Sequence, residues 1–159
     1  MHRDAVLMQM DPIDANTWSS NWAWAVPLIV LCVVIHASGL ALMNERVGRV
    51  MDTVERRGLM RRFAVVMSII TVAATALHGF EAVIWAFAFR VLGASPDNKT
   101  AMLYSISAMT TYGHANIFLK PHWQMMGALE ALNGMLLFGL TTAFMFAMIQ
   151  RIWPSADSG

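Results

Sequence analysis

Charge is what this sequence has least of. Ten acidic and eleven basic residues make up 13% of its 159 positions, where a soluble domain carries about a quarter. Hydrophobic residues fill 57% of the chain, a balance that excludes an ordinary water-soluble domain and names lipid as the main solvent. Cysteine is nearly absent too. The single Cys32 sits in an apolar run, so no internal disulfide forms, no Cys-x-x-Cys pair holds a soft metal, and the residue reads as a small buried hydrophobe. The fourteen methionines make no ligand pattern; Met125 with Met126 and Met145 with Met148 read as packing or lipid-facing side chains rather than a copper relay. No nucleophile, base and orienting group stand out, and no nucleotide, calcium or voltage-sensing segment is visible. The chain is therefore not expected to be an enzyme, and no resident cofactor or metal is expected. Nor is there a nucleic-acid arm. Arg46, Arg49, Arg56, Arg57, Arg61 and Arg62 crowd together, but they alternate with Glu45, Asp52 and Glu55 between two long apolar runs.

What is present is three apolar stretches long enough to cross about 30 Å of hydrocarbon: Trp22–Met43, Phe63–Phe89 and Met125–Ile149. The first starts too late, runs too long and lacks a small-residue cleavage site for a signal peptide, so it reads as a mature helix. The Arg-rich linker 44–62 is expected to be a cytoplasmic loop by the positive-inside rule. That puts the N-terminal tail 1–21, with Asp4, Asp11 and Asp14, outside, together with the segment after the second span. The tail 152–159 is then cytoplasmic. Trp18, Trp22, Trp24, Trp123 and Trp153 flank the spans as interfacial anchors.

Between the second and third spans, Val91–Lys99 reads as a polar loop. Thr100–Met109 then has helical character and opens at Thr100 as a cap. Ten residues make about 15 Å of helix, half a bilayer. A polar strand follows, Thr110-Thr111-Tyr112-Gly113-His114-Ala115-Asn116, and Pro121 breaks the chain before the third span. Two readings fit this spacing: an ordinary external loop, or a re-entrant segment whose backbone is buried in protein or faces water.

These residues resemble the pore domain of the potassium-channel superfamily, and more closely its small bacterial two-transmembrane members. The family runs from an outer helix through a pore helix to Thr-Thr-x-Gly-Tyr-Gly-Asp-Ile and an inner helix. Here Leu103-Tyr104-Ser105 is followed by Thr110 to Ile117, and Leu129 to Gly139 matches the inner helix. The resemblance covers 63–151, with outer helix 63–89, pore helix 100–109, filter 110–117 and inner helix 125–149; the span 22–43 is an addition outside it. It implies an all-α membrane protein assembled as a homotetramer in lipid, at the bacterial inner membrane. Monovalent cations such as K⁺ or Na⁺ would pass through rings of backbone carbonyls from Thr110, Thr111, Tyr112, Gly113, His114, Ala115 and Asn116. The match breaks at His114 for the filter tyrosine, Ala115 for the second glycine and Asn116 for the aspartate. Ala is penalised where glycine supplies positive φ, so potassium selectivity does not carry over. An alternative register aligns Tyr112-Gly113 with the family's Tyr-Gly, but it loses both threonines and Ile117. A non-conducting membrane scaffold or partner subunit is the second reading.

Ionisable groups within spans are costly and often functional. His78, Glu81 and Glu130 are expected to hydrogen-bond behind the filter and brace the pore helix, with proton sensing, ion binding or simple pairing between helices as the alternatives. His36 and His78 raise haem ligation, but counted from the inner helix ends they lie at depths of about 10 and 22 Å, an offset that argues against an axial pair. His114 at an outer mouth offers pH-dependent conduction. Gly134 and Gly139 are candidates for a gating bend or for close helix packing. If Gly134 bends, Met135, Phe138, Thr142 and Phe146 line the cavity.

Overall fold

A computed structural model describes residues 15–54, 58–113 and 116–152. Four helices follow one another: α1 Ala15–Val54, α2 Leu59–Val91, α3 Asn98–Met109 and α4 Gln124–Ile152, the last entered through a single 3₁₀ turn, Pro121–Trp123. Three segments are long and apolar enough to cross a membrane, Asn16–Arg49, Phe63–Val91 and Pro121–Ile152. In hydrocarbon a helix is the form in which one segment satisfies its own backbone. The chain is accordingly a multi-pass membrane protein, all-helical among the described residues.

α1 is longer than the expected span at both ends. The Arg-rich stretch expected as a loop is helical up to Val54, and α2 begins at Leu59. Extending an existing helix adds one bond per residue and needs no new nucleus, so charged residues simply propagate the span into water. At the other end the helix takes in Asn16 to Asn21, which were assigned to a tail. Pro27 lies within α1 and withholds one backbone donor, as membrane helices tolerate.

α1, α2 and α4 pack side by side along seams spaced three and four residues apart. α1 buries Asn21, Ala25, Cys32, His36, Leu40 and Val47, and α4 buries Met126, Glu130, Asn133, Leu137, Thr141 and Met148. At the Arg-rich end, Val47, Val66, Ile70, Met148 and Ile152 form a small apolar cluster, and Arg151 donates to Asn44 Oδ1 at 3.1 Å. At the opposite end α3 is wedged between α2 and α4. Its cap is Asp97 rather than Thr100: the Asp97 carboxylate accepts from the Thr100 amide at 2.9 Å and the Thr100 hydroxyl at 2.6 Å. Asp has the stronger claim because it reaches the amide three residues on, leaving Thr100 inside the first turn.

The turn from α2 into α3 is built by hydrogen bonds. Gly93 takes φ +65, its amide bonds Arg90 O at 3.1 Å, and the Ala94 amide reaches back to Phe89 O at 2.8 Å. That is a Schellman stop, which needs a left-handed residue after the last turn. Arg90 then clamps the corner, donating to Ser95 O at 2.6 Å and Asn98 Oδ1 at 2.8 Å.

Candidate functional site

Two groups of buried polar side chains lie in the bundle, and each holds a carboxylate.

The first fastens α3. Ser105 is fully buried and donates to the carbonyl of Ala82 on α2 at 2.8 Å; its hydroxyl also makes a short contact with Glu130 Oε1 on α4. The Glu130 carboxyl is itself fully buried, so this one hydroxyl ties α3 to α2 and to α4. Glycine faces let the helices approach. A Cβ on Gly134 would overlap the Met109 carbonyl oxygen and stand 2.7 Å from Met109 Cα. One on Gly127 would overlap the Tyr104 hydroxyl. The Tyr104 ring lies edge-on to Phe89, centroids 5.5 Å apart. Close packing is thus the observed work of Gly134, whereas Gly139 has open space around it.

α3 stops in a second Schellman turn. The Thr111 amide bonds Ala108 O and the Tyr112 amide bonds Ser107 O, both at 3.0 Å. The residue that must turn left-handed is Thr111, at φ +55. A β-branched residue there is a true outlier and costs on the order of 1 kcal/mol or more. Gly113 follows at φ +85. Thr110 to Gly113 and Asn116 are exposed, Tyr112 by 88%. His114 and Ala115 lie outside the described residues.

The second group lies farther along the bundle and was not foreseen as a unit. His36 Nδ1 is 2.8 Å from Glu81 Oε1, and His36 Nε2 is 3.0 Å from the Thr141 hydroxyl. His78 Nε2 meets the same hydroxyl at 3.1 Å, and His78 Nδ1 lies 3.4 Å from Glu81 Oε2. The four side chains close a ring across α1, α2 and α4. His36 and Glu81 are fully buried and His78 is 14% exposed, with Phe138 stacked on its ring, centroids 4.4 Å apart.

This ring corrects two expectations. In this chain Glu81 and His78 meet each other, His36 and Thr141 rather than α3; of the three residues expected to brace a pore helix, Glu130 is the one whose contact is with α3. The depth offset between His36 and His78 also disappears. His36 stands 18 residues before the end of α1 and His78 19 residues after the start of α2, about 27 and 29 Å along their helices. The error came from ending α1 at Met43. The two ring centroids are 5.0 Å apart, too close for a macrocycle to pass between them.

Between the two groups, Cys32 is buried beside Asn133 and Trp85. Nearer the α3 end, Asn21 donates to Thr17 O and to His122 O, each at 2.7 Å, and accepts from the Met126 amide at 2.9 Å. Asn21 therefore caps α4 from a neighbouring helix. Sequence reasoning missed Asn21, Asn133 and Thr141; the signal available was polar residues recurring on the buried seams.

The proposed cavity positions Met135, Phe138, Thr142 and Phe146 are all exposed along one side of α4. No family model, curated protein or solved structure matches this chain.

Proposed function

We propose that the chain is one subunit of a homotetrameric channel for monovalent cations, with α3 as the pore helix and Thr110–Ile117 as a filter that departs from the potassium pattern. The observation that carries this reading is a twelve-residue helix, about 18 Å long, pinned between two spans and delivering Thr-Thr-Tyr-Gly at its end. A half-length helix held by Glu130, Ser105 and the glycine faces cannot cross the bilayer alone, yet it is fastened too firmly to be a casual loop. Its C-terminal end carries the negative end of the helix dipole, which favours a cation. Left-handed backbone at the β-branched Thr111 is the kind of strain that persists at functional sites. Those residues are exposed in one chain, and four copies around an axis would turn their carbonyls on one another. In this reading the Arg-rich end is cytoplasmic, the filter opens outside, and Phe138, Thr142 and Phe146 face the central cavity.

The test is purified protein in liposomes under a potassium or sodium gradient, with subunit count measured on the same preparation. Flux of either cation together with a tetramer is the expected result. A monomer or dimer without flux ends the proposal.

One observation favours a second reading, a non-conducting membrane subunit. Thr111 is spent on the helix stop, which shortens the run of residues free to line a filter. In that case the liposomes stay tight although the protein is folded and tetrameric.

A further inference from the structure

The ring of His36, Thr141, His78 and Glu81 has four edges. With the Thr141 hydroxyl accepting from both Nε2 atoms, the Nδ1 atoms of both histidines are left facing the Glu81 carboxylate. One edge of that carboxylate is open. Among the described residues, His78 Nδ1 and Glu81 Oε2 have no hydrogen-bond partner, and they face each other across 3.4 Å. Two lone pairs opposed at that distance, deep in an apolar bundle, call for a cation between them.

We propose that His36, His78 and Glu81 form a buried binding site for one divalent transition-metal ion of the zinc class, clamping α1 to α2. The inference stands apart from the channel reading and would hold for a non-conducting subunit.

Three features of the geometry point to a metal. One donor atom from each of the three residues lies within 4.8 Å of the others. Bonds of about 2.0–2.1 Å to nitrogen and oxygen at tetrahedral angles put neighbouring donors roughly 3.4 Å apart, and the unpartnered edge measures 3.4 Å. The outer shell is also in place. Metal-bound histidines nearly always give their second N–H to a fixed acceptor, and here both Nε2 atoms lie within 3.1 Å of the Thr141 hydroxyl. That oxygen has two lone pairs, one for each imidazole. With Thr141 taking both Nε2 protons, both Nδ1 lone pairs turn to the carboxylate. Two imidazoles and one carboxylate suit zinc, ferrous iron or cobalt and do not suit magnesium or calcium. His78 is the partly exposed member, so an ion would enter past His78.

The test uses the full chain without an affinity tag, stripped with chelator in detergent and titrated with Co²⁺, then Zn²⁺. One cobalt per chain with the visible bands of a tetrahedral nitrogen and oxygen site, displaced by zinc, is expected. So is a zinc-dependent rise in melting temperature. Thr141→Val, which leaves the three donors in place, should weaken binding about 10–100-fold. Glu81→Gln and His78→Ala should abolish the bands, and His122→Ala should leave them unchanged. Absence of stoichiometric cobalt or zinc in the folded unmodified chain overturns the proposal. So does binding that survives Glu81→Gln and His78→Ala at full strength. If either of those variants fails to fold, the unmodified chain and Thr141→Val still decide.

Discussion

The Glu130 and Glu81 carboxylates are both fully buried and sit on neighbouring helices, yet they are treated in opposite ways. Glu130 faces one hydroxyl, Ser105, which is itself tied to the Ala82 carbonyl; around it Gly134 lets α4 meet the α3 backbone at Met109, and Gly127 makes room for the Tyr104 side chain. Everything in that region holds one helix in one place. Glu81 faces two imidazoles on two helices, and the hydroxyl behind them serves both. That region has donor atoms aimed inward. A buried carboxylate closed by a single hydroxyl is a fastener; the same group between two imidazoles is a receptor for a positive ion.

The sharpest way to break this contrast is at Gly134. Gly134→Ala puts a methyl group into the Met109 backbone, which cannot swing aside, so a loss of about 2–3 kcal/mol is expected. Gly139→Ala, facing open space, should change stability by less than about 0.5 kcal/mol. Melting temperatures of the two variants in the same detergent check the pair, and equal values would remove the claim that α3 is fastened through a glycine face.

Next in size is Ser105→Ala. It leaves Glu130 buried without its hydroxyl partner, at an expected cost of about 1–3 kcal/mol. It should not touch cobalt binding at Glu81, whereas Thr141→Val should weaken that binding and leave α3 in place. Hydrogen exchange on α3 amides beside a cobalt titration separates the two regions; a variant that moved both readouts together would merge them into one network.

The smallest effect lies at the surface end of α3. The Thr100 hydroxyl, and then its amide, hold the Asp97 carboxyl below the ordinary aspartate range. A carboxyl depressed in the folded state stabilises above its unfolded value, near pH 4, and that contribution fades as pH falls through the lower folded value. The first α3 amides should therefore lose exchange protection only below about pH 4, and Asp97→Ala should show that loss at neutral pH. Protection that stays constant down to pH 2 would discard the cap.

Much of the fold was legible in the residues. Three apolar runs of sufficient length, a Gly93-Pro96-Asp97 corner and a short helix before Thr110 follow from hydropathy and turn chemistry alone. The ends of α1 were not legible. Charged residues mark where a chain leaves lipid but not where its helix stops, because an established helix continues into water at little cost. The pairing of Glu130 with α3 was foreseen; the pairing of His36 with Glu81 was not, since it depended on where α1 ended.

By itself, then, the order of residues determined the solvent, the number of spans and the short helix between the last two, because each of these is a sum over local preferences. Which polar groups meet was decided by the packed bundle alone. His36, His78, Glu81 and Thr141 come from three helices up to 105 positions apart, and whether they form a ring turns on helix lengths and rotations that no single segment specifies.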